Sequence, residues 1–230
     1  MSDELSPIQQ RVQDALDSFD HTDSFLVASQ LWELGDPAQV LSAFHAITRE
    51  LFAQRKLARM VWLARSGIDF ALRSGDSKLI ESARKLAYNV SANLWPGWAD
   101  EAVQPTMSDL LAAYDLARAH RRLCQDAMQD HEAMGHAHWL VGAQRLALGQ
   151  EQAAHHDFEN SQAAYHAAER PTLAAMAEGY LALSLSLMGT MATEGDKRFE
   201  ASIAELKQLG DDGEFFADQL QTAKRVFLGK

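Results

Sequence analysis

Apolar residues recur along this chain at the three-and-four spacing of a helix, with polar residues between them. Ile8, Val12, Leu16 and Phe19 make one such stripe, and Leu110, Tyr114, Ala117 and Leu123 or Cys124 make another. The period-two alternation of half-buried strands is missing, as are runs of Val, Ile, Thr and aromatic residues. Capping chemistry divides the stripes. Ser6-Pro7 and Asp36-Pro37 each put a capping oxygen before a proline whose missing N–H costs nothing at the first helical position. Thr106 with Asp109, Asp76-Ser77, Asp196 and Asp211-Asp212 are further starts, while Gly35, Gly75, Gly149, Gly189 and Gly210 sit where helices should stop. The expectation is a single all-α domain over 1–230 with about eleven helices. Asn93 to Pro105, with Trp95-Pro96-Gly97-Trp98, cannot be one helix. It should be an irregular loop, 93–105, between an N-terminal half, 6–92, and a C-terminal half, 106–230.

Two stretches share a finer pattern. Gly142, Gly149 and Phe158, with Ala154 between, place a small residue in mid-helix, a glycine at the turn and an aromatic on the return helix. Ala28, Gly35 and Phe44 repeat that spacing without a shift. Antiparallel helices approach closely only where one offers a small side chain, and the aromatic of the other fills the wedge opened by the turn. Each pattern therefore describes a helical hairpin. Gly35, Gly75, Gly149 and Gly189 fall at intervals of 40, 74 and 40, which suits an array.

These residues resemble the tetratricopeptide repeat family, most closely over Gly135 to Tyr165. Gly142, Gly149, Ala154 and Phe158 match that family's small residue, turn glycine, alanine and aromatic, and Trp139 lies one place after the expected tryptophan. Phe25 to Ile47 is a partial match, with Val40 where the alanine should be; Gly67, Gly75 and Ala83 echo it more weakly, and Gly189 with Phe199 fits only with one extra residue. The resemblance implies antiparallel hairpins stacked as a right-handed solenoid, whose first helices line a concave groove that holds a protein or peptide. Carried onto this chain, the groove positions are His136, Trp139, Ala143 and Leu146 in the best repeat, and Phe25, Ser29 and Trp32 in the first. These are not the basic clamp with which family members grip a terminal carboxylate. Phe25 with Trp32, and Trp139 with Leu146, are seven apart and share helix faces, which suits an apolar or amphipathic helix as partner. The same stripes also suit buried core, a groove filled by the chain's own last helix from Phe215 to Leu228, or a homodimer interface. A helical bundle without repeats is the alternative fold.

Composition narrows the partner classes. The formal charge of −11 disfavours phosphate backbones and anionic lipid, so neither nucleic acid nor membrane is expected. The charge is uneven: Arg49 to Lys85 holds nine basic residues against four acidic ones, a net +5 that leaves −16 elsewhere. That polarity is able to steer an acidic partner onto the first half, but a solvated helix face is the favoured explanation. Cys124 is the only cysteine, the N-terminus Met1-Ser2-Asp3-Glu4 lacks the basic and apolar regions of a signal peptide, and no stretch has roughly 18 consecutive apolar residues. A cytoplasmic location is expected.

Catalytic and metal chemistry find little support. His131 and His136 flank Glu132 but are five apart, about 140° around a helix, where a zincin needs four. A helix boundary is also expected near Gly135. His120, Cys124, His131 and His138 would share a face of one continuous helix, yet His138 would lie about 27 Å from His120. No cofactor, metal site or catalytic residue is assigned, and the alternative to a binding module is an all-helical ligand or metal sensor, or an enzyme, using His120 to His138.

Overall fold

Helices in this protein begin and end largely where side chains satisfy backbone groups that the helix leaves unpaired. The computed structural model describes residues 7–18 and 24–229; within α1 and at the start of α2, the side chains of residues 7–9, 12, 16, 18 and 24 are outside that description. The stripe Ile8, Val12, Leu16 and Phe19 therefore falls outside the described residues and side chains. All regular elements described are helical, and the chain divides into two units, residues 1–93 and 94–230.

The first unit contains α1 (Pro7–Ser18), α2 (Ser24–Trp32), α3 (Pro37–Ala53), α4 (Leu57–Ser74) and α5 (Ser77–Asn93). The Asp36 carboxylate accepts from the Ala38 N–H at 3.1 Å, with Pro37 in the first helical position. Asp76 accepts from Lys78 and Leu79 at the start of α5. Helices α3, α4 and α5 pack on one another in turn, and α2 lies against α3 and α4. Gly67 of α4 makes that close approach possible, because a Cβ there would stand 2.9 Å from the Phe44 ring of α3 and 3.0 Å from Leu86 of α5.

The second unit runs from a 3-10 turn (Pro96–Trp98) through α6 (Met107–Asp126), α7 (His131–Ala147), α8 (Glu151–Ala167) and α9 (Pro171–Leu187). A second 3-10 turn (Gly189–Met191) then leads to α10 (Ala192–Leu206) and α11 (Asp211–Leu228). Thr106 and Asp109 form a reciprocal capping box at the start of α6. Each helix from α6 to α10 packs on the next, while α11 returns onto α9, α10 and the first 3-10 turn. Helix α9 is buried almost throughout from Leu173 to Ser186 and is the axis of this core.

Two expected helix starts are displaced. Helix α7 begins at His131, capped by the Asp130 carboxylate on the Ala133 N–H at 2.8 Å, so Gly135 lies inside it; the glycine serves packing, since a Cβ there would be 2.5 Å from the Tyr165 ring. Helix α10 begins at Ala192, and Asp196, expected to cap it, sits within the helix, accepting from the Ser186 hydroxyl and pairing with Lys224.

The turns share one device. Lys56, Gln129, Gln150 and Arg170 each donate a backbone N–H to the carbonyl five residues back, on Leu51, Cys124, Arg145 and Tyr165, at 2.8–3.0 Å. The residue before each donor is left-handed: Arg55, Met128, Gly149 and Glu169. Helices of 17 or 18 residues joined by short turns account for the 40-residue steps from Gly35 to Gly75 and from Gly149 to Gly189, whereas the 74 residues from Gly75 to Gly149 hold three helices, α5, α6 and α7, and the irregular loop, and are not two such hairpins. The unit is longer than the roughly 34 residues of a standard tetratricopeptide repeat.

Candidate functional site

The expected groove positions separate into an exposed set and a buried one. In the first unit Phe25 is 68% exposed and Trp32 41%, with Ser29 partly exposed between them and its hydroxyl donating to the Leu26 carbonyl. The Trp32 ring rests on Phe70, centroids 6.2 Å apart, and Phe70 in turn lies 6.4 Å from the buried Phe44. One edge of the indole is thus anchored to the core while the rest faces solvent. Leu26 and Leu72 are exposed as well. Valine, alanine and leucine at 27, 28 and 31 fill the opposite face of α2 and are buried, so the amphipathic rule is broken on the outside only.

In the second unit Trp139, Ala143 and Leu146 are buried and cannot line an open groove. The covering comes from the chain itself. Trp95, fully enclosed, donates its indole N–H to the Ala143 carbonyl at 2.9 Å, and its ring meets Trp139, Tyr180 and Phe227 at centroid distances of 5.7, 5.7 and 6.0 Å. Trp98 packs on Trp139 from 5.9 Å. The loop with two tryptophans and the last helix together plug the face of α7 and α9, as the self-filled alternative anticipated for the last helix alone. The plug leaves a cost: the Trp139 indole N–H is buried with no hydrogen-bond partner among the described residues.

His136 alone of its set reaches a surface hollow, an open cleft of about 510 Å³ whose walls come from the starts of α7 and α11 and the turn between α8 and α9. Tyr165, enclosed in the space that Gly135 leaves, shares a 2.8 Å hydrogen bond with His136 Nδ1. The other imidazole nitrogen is 3.8 Å from Glu132, which pairs with Arg170 at 3.3 Å. Pro171, Leu173, Phe215 and Phe216 supply apolar wall, and Glu169 and Asp212 stand at the rim. These groups suit binding; no residue among them is held as a nucleophile.

Two other clusters carry chemical side chains. His155 Nδ1 lies 2.9 Å from the Ser184 hydroxyl and its Nε2 3.6 Å from Glu159, a serine–histidine–acid chain with the two ring nitrogens exchanged relative to a serine-hydrolase triad. Ser184, however, is buried and donates its single proton to the Leu181 carbonyl at 2.6 Å, so it receives a hydrogen bond from His155 and cannot be activated by it. The buried Asp157 carboxylate accepts from Arg121 at 3.0 Å and Arg145 at 2.6 Å, and Arg145 also donates to the Tyr114 hydroxyl. This network ties α6, α7 and α8 together. No local spacing in the sequence shows it, because its members lie up to 43 positions apart.

The histidines assigned to a sensing role do not converge. His120 and Cys124 face each other at 3.5 Å inside α6, His131 opens α7 on the surface, and His138 turns towards Asp157. The segment is broken between Ala127 and Asp130, which removes the single helix that would have aligned them. Among the described residues no group of three His, Cys, Asp or Glu side chains is placed to hold a metal ion, and no single helix is long and apolar enough to cross a membrane. No family model and no curated protein matches the sequence.

Proposed function

We propose that the chain is a tetratricopeptide-like helical-repeat module that holds a protein or peptide partner, and that the α2 face formed by Phe25, Ser29 and Trp32 is the surface that holds it. The observation that carries this reading is the exposure of two large aromatics seven residues apart on a helix whose other face is fully used in the core. Burying such rings contributes about 1.5–3 kcal/mol each, and aromatic anchors of this kind dominate the energetics of helix-in-groove contacts. Consecutive antiparallel hairpins and the fit of Gly142 against Phe158, where a Cβ would lie 2.8 Å from the ring, support the repeat assignment. Their 40-residue length makes the repeat a variant of the standard unit.

The test is affinity capture with the full chain and with Phe25→Ser/Trp32→Ser. Phe25 is mostly exposed and Trp32 meets the core only through Phe70, so the variant should lose some stability yet retain its helical circular dichroism. A partner held by the parent and lost by the variant is the expected outcome, whereas identical captured proteins would refute the assignment of this face.

A further inference from the structure

The cleft around His136 has a charge pattern that its internal contacts leave unbalanced. Three carboxylates, Glu132, Glu169 and Asp212, face one guanidinium, Arg170, which is already engaged with Glu132. Glu169 and Asp212 are exposed and have no cationic partner among the described residues. Asp212 also offsets the positive end of α11, being in its first turn. Glu169, in the turn before Pro171, directly precedes the Arg170 N-cap of α9 and stands near the positive end of that helix. Beside these carboxylates stands Phe215, 63% exposed and lining the same hollow, its ring centroid 5.4 Å from that of Phe216. A cation above an aromatic ring and between carboxylates gains from both, while Pro171 and Leu173 leave room for an apolar neighbour.

We propose that this cleft receives a lysine or arginine side chain carried, next to an apolar residue, on an extended peptide of another protein. The apolar walls distinguish a peptide from a small polycation, which would use the carboxylates and leave Pro171, Leu173 and Phe216 wet. The proposal does not rest on the α2 face, which belongs to the other unit, and each fails separately.

The probe is an alternating arginine–leucine peptide titrated into the isotopically labelled full chain, compared with the same peptide carrying citrulline, which keeps the size and planar shape of arginine but replaces one amino group by a carbonyl oxygen and removes the charge. Saturable shifts at Thr172, Phe215 and Phe216 are expected, with the citrulline peptide weaker by about tenfold, since two exposed charge contacts are lost. Glu169→Gln/Asp212→Asn should weaken the arginine peptide by a similar factor, and Phe215→Ala should weaken both peptides. Phe25→Ser/Trp32→Ser should leave all of these titrations unchanged. Equal affinity of the two peptides, shifts confined to residues outside the cleft, or displacement of the arginine peptide by equimolar spermidine would each overturn the proposal. The substituted side chains are at the surface, and unchanged amide spectra away from the cleft certify that the variants are folded.

Discussion

Gly142 shows how much one missing methyl controls. The Phe158 ring occupies the place a Cβ would take, is buried, and stacks on Tyr180 at 5.5 Å, so it has nowhere to retreat. Gly142→Ala should gain up to about 1 kcal/mol in helix propensity and lose roughly 1–3 kcal/mol to overpacking. A net loss, read as a lower urea midpoint, is expected; a gain would mean that the contact is looser than described. That pairing was legible from the sequence, because glycine and phenylalanine sit at the spacing of a hairpin wedge. Arg55, Met128 and Glu169 were not legible as left-handed turn residues, since only glycine or asparagine advertises that conformation.

His45 gives a pH dependence. Burial, opposed by its contact to the Ser82 carbonyl and reinforced by the charges of Arg49 and Lys85, holds its pKa below the ordinary 6.5. The unfolded chain then takes up the proton first as pH falls, so the stability contribution is intact above pH 6.5 and is lost below it, down to the folded-state value. His45→Gln should flatten that part of the curve of unfolding free energy against pH, and an unchanged slope between neutral and mildly acid pH would assign the effect to other groups.

At the scale of elements, capping residues were read correctly where oxygen and helix start are adjacent, as at Asp36, Asp76 and Thr106. The sequence misleads at Gly135 and Asp196, where a glycine or an acid serves tertiary contact inside a helix; single-chain patterns do not separate the two uses. The loop with Trp95 and Trp98 was legible as a break in helix and not as a plug. Its partners, Ala143, Tyr180 and Phe227, lie far along the chain, and no local pattern joins them to it. Trp95→Ala should cost about 3–5 kcal/mol, because it empties a fully enclosed indole site and removes the bond to the Ala143 carbonyl. The loss should appear as a lower thermal midpoint with Trp139 exposed to a fluorescence quencher. A small loss with Trp139 still shielded would show that α11 alone closes that face.

For the molecule as a whole, the apolar stripes first assigned to a groove have different fates in the two units. Around Trp139 the chain supplies its own filling, whereas in the first unit Phe25 and Trp32 remain 68% and 41% exposed. Hydrophobic spacing is identical in the two cases, so sequence alone had no means to tell them apart. The proposed function therefore narrows from seven positions to three, Phe25, Ser29 and Trp32, with His136 moved to a separate cleft of different chemistry. The net charge of −11 does not decide between these surfaces, because the basic residues from Arg49 to Lys85 lie in the first unit and the carboxylates of the cleft in the second.

The most direct test places a photoreactive side chain at Ser29, between the two exposed aromatics, and irradiates the full chain in its native cell extract. The account predicts one dominant cross-linked protein from position 29, lost with Phe25→Ser/Trp32→Ser and missing when the photoreactive group is at the exposed Ala204. The same unselective cross-links from both positions, or none from position 29, would contradict it.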